Sequence, residues 1–197
     1  MSRSVDESWD RITSWLAAHA PRAAARIGPP AGRAEIARAR EAVGADLPPD
    51  LAAWWRRANG LTGSGPPFDL LPGHFPYTVD QALRSREIWL EAWPDAAVER
   101  DVAAPAGAAA GMWLPGWLPV ANSGGGRDLF VDLRPGPLHG CVRRFDRVAA
   151  DGEALWDGVA AMLADVARGL ETGAMAVAGH EAEVVVADDG ALYWDDR

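Results

Sequence analysis

Few residues of this chain stand in a pattern that could do chemistry. Gly124-Gly125-Gly126 has the glycine density of a phosphate-cradling loop. The Lys-Ser/Thr step that completes such a loop is missing, the chain contains no Lys, and no G-x-G-x-x-G occurs. The triple glycine therefore reads as a tight sheet turn, where glycine adopts positive φ without steric cost. His19, His74, His139 and His180 fall in four different predicted elements, and none pairs with another His or with Cys at metal-ligand spacing. No metal site is expected. His180-Glu181 lacks the second His of a zinc-protease helix. Asp188-Asp189 and Asp195-Asp196 are paired carboxylates, the first at a hairpin tip and the second in a solvated tail, without the burial that tunes an acid–base pair. Ser123, though beside glycine, lacks the full Gly-x-Ser-x-Gly pattern of a nucleophile elbow. Asp132 lies on the polar side of a strand, where capping a neighbouring loop is favoured over catalysis. Cys141 is the one cysteine; it cannot form an internal disulfide and reads as a buried thiol in a strand. No catalytic residue and no cofactor follow from these patterns.

The aromatic residues point elsewhere. The chain has 10 Trp in 197 residues. Trp54 and Trp55 are adjacent on a predicted helix, roughly 100° apart, so both face the core only if the apolar stripe is wide. Trp113 and Trp117 flank Pro115 and pose the same question. Core packing is the default for each; one that stayed exposed would be a contact anchor, because Trp is enriched at interface hot spots. The candidate contact set is Trp54, Trp55, Trp113, Trp117 and Asp132.

The elements that must position these residues follow from periodicity. Residues 117–121 and 129–133 are short apolar runs around a loop, a hairpin expected at the centre of a sheet. Alternation puts Leu129, Val131 and Leu133 on one face and Phe130 and Asp132 on the other. Ahead of it, Ser4 and Glu7 form a capping box for a helix over 4–20 carrying Trp9, Ile12, Trp15 and Leu16. A connector over 21–33 follows, then helices over 34–43 and 49–58, stopped at Gly44 and at Asn59-Gly60. Residues 61–76 read as loop with a short strand at 68–71. Thr78 and Gln81 cap a helix to about Trp93, with Val79, Ala82, Leu83, Trp89 and Trp93 as its stripe. Residues 95–116 show no periodicity. A strand is expected over 140–145, and an amphipathic helix gathers Leu155, Trp156, Val159, Met162, Leu163, Val166 and Leu170, ending at Gly173. A closing hairpin pairs 183–187 with 192–194 across a type I′ turn at Asp189-Gly190. The layout is α+β: an antiparallel β-sheet with helices packed against it, in a single domain over 1–197 to which 4–20 and 21–33 form an extension.

Composition bounds the partners. The net charge of −9 disfavours phosphate backbones, so no nucleic acid is expected, and it suits a basic protein partner. All 19 basic residues are Arg beside abundant Ala, Gly and Pro, as a GC-rich, bacterial coding sequence favours. Residues 102–126 carry no charge, but Pro105, Pro115 and Pro119 break any spanning helix, so no membrane is expected. The start of the chain lacks an apolar signal core, and with the lone Cys this places the protein in the cytoplasm.

Four ordered pieces resemble the SUKH superfamily, the group that includes the Smi/Knr cell-wall assembly regulators. They are Glu35-Ile36 through Leu47-Pro48; Leu51 to Asn59-Gly60; Trp117-Leu118-Pro119 with Gly125 and Gly126 in the loop and Asp132 in the returning strand; and Gly140-Cys141-Val142 followed by Phe145-Asp146. The resemblance covers roughly residues 30–172. It departs from the family at an Ala-rich insertion, 93–112, which is either a loop of one clade or a contact surface. The resemblance implies a non-enzymatic protein-binding module. Bacterial members are often immunity proteins that neutralise a toxin by occlusion, here a basic toxin met by acidic charge and exposed aromatics. A regulatory scaffold of the cell-wall assembly regulator type is the alternative. A third reading, a small-molecule role beside the Gly-rich loop, requires a polar pocket holding Asp132 and a histidine; a closed sheet face would sink it.

Overall fold

The computed structural model describes residues 4–65, 68–93 and 99–196. The first helix, α1 (Val5–His19), starts at the capping box of Ser4 and Glu7 and buries Trp9, Ile12 and Leu16. The stretch expected as pure connector contains a short helix, α2 (Pro21–Ala24), with Pro at its first position, where a missing N–H costs nothing. Helix α3 (Arg33–Val43) stops at Gly44, and α4 (Pro49–Arg57) buries Leu51, Ala52, Trp54 and Trp55 together. Both tryptophans fit inside because α4 is covered on two sides: α1 and α7 pack against it, and the Trp9 and Trp54 rings lie 6.3 Å apart.

The strand expected at 68–71 is not a regular one. Phe68 forms a single parallel bridge with Leu192, and Leu71 bridges His74. This segment crosses between two sheets, so its hydrogen bonds are shared out rather than laddered. The regular strand is β1 (Phe75–Pro76), followed by α5 (Val79–Ala92) behind the capping box of Thr78 and Gln81. A short helix, α6 (Glu99–Ala103), lies in the stretch without periodicity.

Four strands complete the main sheet: β2 (Trp117–Asn122), β3 (Arg127–Asp132), β4 (Val142–Asp146) and β5 (Ala150–Trp156). The order is β1-β2-β3-β4-β5, antiparallel throughout, with β3 in the middle as expected of the central hairpin. Pro119 sits at a register shift in β2, where a residue without an N–H is tolerated. The strand expected from Gly140 begins only at Val142, because Gly140 and Cys141 close a turn onto Asp132. Leu155 and Trp156 belong to β5, not to the helix they were expected to open; α7 (Val159–Thr172) starts three residues later. The β5 sequence, ADGEALW, has no apolar alternation to announce it.

A second sheet has the order β6-β7-β8, from β6 (Ala174–Val177), β7 (His180–Val186) and β8 (Leu192–Asp196). Its last turn is a three-residue loop closed by Ala187 N–H donating to the Ala191 carbonyl. It has Gly190 at φ 83°, in place of the expected two-residue turn.

One face of the main sheet, with Leu129, Val131 and Leu133, packs into the large core under α1, α4 and α7. The other face is also buried. There Trp113, Leu114, Trp117, Phe130 and Phe145 form a second core, joined by Trp89 and Trp93 from α5 and its end. The α5 stripe is thus divided, Val79 and Ala82 serving the first core and Trp89 and Trp93 the second. The Trp89 ring stacks on Trp113 at 5.6 Å, and Trp117 stacks on Phe130 at 4.3 Å.

Candidate functional site

Two polar clusters are built on the second face of β3, and both are closed. At one end, Asp132 is fully buried. Arg134 forks onto it, Nε donating to Oδ1 at 3.0 Å and Nη2 to Oδ2 at 2.7 Å. Arg143 Nη1 donates to the same Oδ2 at 3.2 Å, and its Nη2 reaches Asp151 Oδ2 at 2.5 Å. The guanidiniums of Arg134 and Arg143 lie 5.5 Å from the centre of the Trp117 ring, a cation–π contact from each. Burial alone would raise the Asp132 carboxyl; the donors from Arg134 and the Gly107 N–H outweigh it and hold it below its ordinary value.

This network fastens the Ala-rich insertion. The Gly107 N–H donates to Asp132 at 3.0 Å, the Gly111 N–H to Asp151 at 2.7 Å, and Arg134 and Arg143 both donate to the Ala108 carbonyl. Through these bonds residues 107–111 of the insertion cover the sheet at Asp132, and among the described residues its carboxylate is closed off, not set in the open polar pocket a ligand or catalytic reading required.

At the other end of β3, Asp128 is also fully buried. Ser85 Oγ and Trp89 Nε1 each donate to its Oδ2 at 2.7 Å, and Asn122 Nδ2 to its Oδ1 at 2.7 Å. All its close partners are neutral. Burial therefore wins and its carboxyl is raised. Tyr77, beside it, is pushed up to about 12 by burial and the Asp128 charge.

The five candidate contact residues are all inside. Trp54, Trp55, Trp113, Trp117 and Asp132 are between 0 and 2% exposed. The condition for any of these tryptophans to be a contact anchor, an exposed ring, is not met. The motif residues have local work instead. Pro48 packs on Gly140, joining the first and fourth motif pieces. Asn59 donates to Glu35 at 3.0 Å and accepts the Val79 N–H at 2.7 Å, tying the start of α3 to the start of α5. Gly60, at φ 64°, lies so near the next turn that an added Cβ would stand 2.3 Å from the Thr78 nitrogen. Leu47 packs at the edge of the main core, Pro119 marks the β2 irregularity, and the loop of Gly125 and Gly126 turns β2 into β3. Cys141 is buried, its thiol pushed up to about 11 by burial and by Asp132. Among the described residues, no group of three or more His, Cys, Asp and Glu could hold a metal, and no helix is long and apolar enough to cross a membrane.

Sequence reasoning missed Arg134, Arg143, Asp151 and Asp128. Part of their signal was available: Asp128 alternates onto the same β3 face as Phe130 and Asp132, and residues 102–126, which precede that strand, carry no charge.

Two open features adjoin the second sheet. The outer face of the second sheet follows from alternation and register: Glu181, Glu183 and Val185 on β7 beside Tyr193 and Asp195 on β8, with Glu183 directly opposite Asp195. Tyr193 is 38% exposed. Between the inner faces of the two sheets lies a cleft of about 330 Å³ that includes His74, Arg127 and Arg144.

A family model described as the SMI1 / KNR4 family (SUKH-1) matches residues 30–165, well over half of the chain. The match excludes α1 and α2 and spans both polar clusters and the insertion. No curated protein matches the chain.

Proposed function

The chain belongs to the SMI1/KNR4 family (SUKH-1), and on that membership we propose that it is a non-enzymatic protein-binding module: a cytoplasmic immunity protein that neutralises a basic toxin by occluding it. The observation that carries this reading is the outer face of the second sheet. On that face Tyr193, 38% exposed, stands opposite Val185, Asp195 lies two residues along the same strand opposite Glu183, and the chain carries a net charge of −9. Negative potential of this kind speeds encounter with a basic partner, and a desolvated Tyr ring supplies a hot spot once docked. The buried ionisable groups agree with a non-catalytic role, because Asp128, Asp132, Arg134 and Arg143 are each committed to internal hydrogen bonds.

The test is co-expression with the toxin encoded beside this chain. The wild type should protect cells and co-purify as a complex. Asp195→Arg should slow association and weaken its salt dependence, whereas Tyr193→Ala should speed dissociation. Neither a complex nor protection would end the immunity reading for that pair and leave the regulatory scaffold, which a housekeeping gene neighbourhood would support.

A further inference from the structure

The cleft between the two sheets is a second site, separate from the acidic outer face. Leu129 of β3, Trp156 of β5 and Trp194 of β8 supply apolar surface to its lining. Its rim is basic. Arg127 and Arg144 project from the inner face of the main sheet, His74 comes from the turn before β1, and His180 opens β7. Arg127 pairs with Asp146 at 2.8 Å, and Asp196 is the acid of the lining. Arg144 has no ion pair among the described residues. His74 is 7% exposed; its Nδ1–H donates to the Pro72 carbonyl at 2.8 Å, and its Nε2 has no partner. An acidic protein that brings these basic side chains together with Trp156 and Trp194 in one cleft has concentrated positive charge where part of a ligand can be desolvated.

We propose that this cleft binds a small organic anion: a carboxylate or phosphate group set against Arg144, Arg127 and His74, with an apolar body lying on Trp156 and Trp194. A volume of about 330 Å³ is at the small end for ligand sites and suits one ring with its anionic group.

The state of His74 supports the choice. Burial lowers its pKa, and Arg144 and Arg127 lower it further. An anion between the guanidiniums and the ring removes that repulsion, so the ring takes up a proton and Nε2–H becomes a donor to the anion. The other charged groups around the ring are Asp146 on β4, His180 on β7 and Asp196 on β8. The site does not depend on the toxin reading, since it lies on the inner face of the second sheet.

The test is an NMR titration of the full chain with phenyl phosphate and with benzoate, using inorganic phosphate as the probe without a body. Saturable shifts are expected at His74, Arg144, Trp156 and Trp194, with the His74 titration midpoint rising at saturation. The tighter of the two ring probes names the anionic group. Arg144→Gln, at a half-buried and unpaired position, should keep the native spectrum elsewhere and weaken binding roughly tenfold; His74→Gln should weaken binding and abolish its pH dependence. No shifts at millimolar probe, shifts that Arg144→Gln leaves unchanged, or inorganic phosphate binding as tightly as phenyl phosphate would overturn the proposal.

Discussion

Asp128 and Asp132 stand four residues apart on one face of β3, neither with exposed surface, and their carboxyls are driven in opposite directions. Burial acts on both. The difference is the partners: two guanidiniums converge on Asp132, whereas Asp128 meets only hydroxyl, indole and amide donors. A full charge opposite a carboxylate offsets lost hydration; neutral dipoles offset only part of it.

The pH dependence of stability should separate the two. Asp132 has a folded-state pKa below its unfolded value of about 3.9, so its contribution is present above roughly pH 4 and is lost as pH falls through the folded value. Asp128 is raised, so stability declines as pH rises from about 4 through its folded value. Urea midpoints across pH should show Asp132→Asn with a flattened acid limb and Asp128→Asn without the decline on the other side. Identical profiles for the two variants would refute the assignment.

Removing Asp132 outright is a different experiment. Asp132→Ala leaves Arg134 buried with no carboxylate partner and Arg143 with Asp151 alone. Breaking a buried ion network from one side costs about 3–5 kcal/mol. Because the insertion hangs on the same groups, amide exchange at Gly107 should accelerate beyond what global destabilisation predicts. A loss under about 1 kcal/mol would mean the network is solvated in solution.

Asn59 and Gly60 join α3 to α5 by different means. Asn59→Ala removes the acceptor for the Val79 N–H and the donor to Glu35, a loss of about 1–2 kcal/mol. Gly60→Ala should cost more, about 3 kcal/mol, since φ is 64° and the new Cβ would meet the Thr78 backbone at 2.3 Å. Thermal unfolding of the two variants checks the order; a milder Gly60→Ala would show that the α5 entry can shift.

Cys141 should be silent in the native protein. With its thiol at about 11, little thiolate exists at neutral pH. Labelling by an aromatic disulfide reagent should follow unfolding, speeding up with urea. Rapid stoichiometric labelling in plain buffer would contradict the burial.

Local patterns in the chain were enough to find most elements. The capping boxes at Ser4 and Thr78, the stop at Gly44 and the alternation of Leu129, Val131 and Leu133 act within a few residues, and the structure keeps each of them. The ordered motifs were likewise enough to indicate the family that the model match shows. Where long-range contacts set the outcome, local reading failed. The β5 strand lacks apolar alternation because most of its residues are not buried, and its place in the sheet comes from pairing with β4.

The exposure of the tryptophans and of Asp132 was beyond any local signal. A strand's alternation says that Phe130 and Asp132 share a face, but not whether that face meets water. That was decided when the insertion folded back across the sheet, where the Asp132 and Asp151 carboxylates accept the Gly107 and Gly111 N–H groups and Arg134 and Arg143, arriving from separate positions, neutralise those carboxylates. The same holds for the cleft, where His74 meets Arg144, 70 positions along the chain, only because two sheets close on each other. Charge compensation in a buried site depends on distances in space, and these residues are brought within reach only by the folded chain.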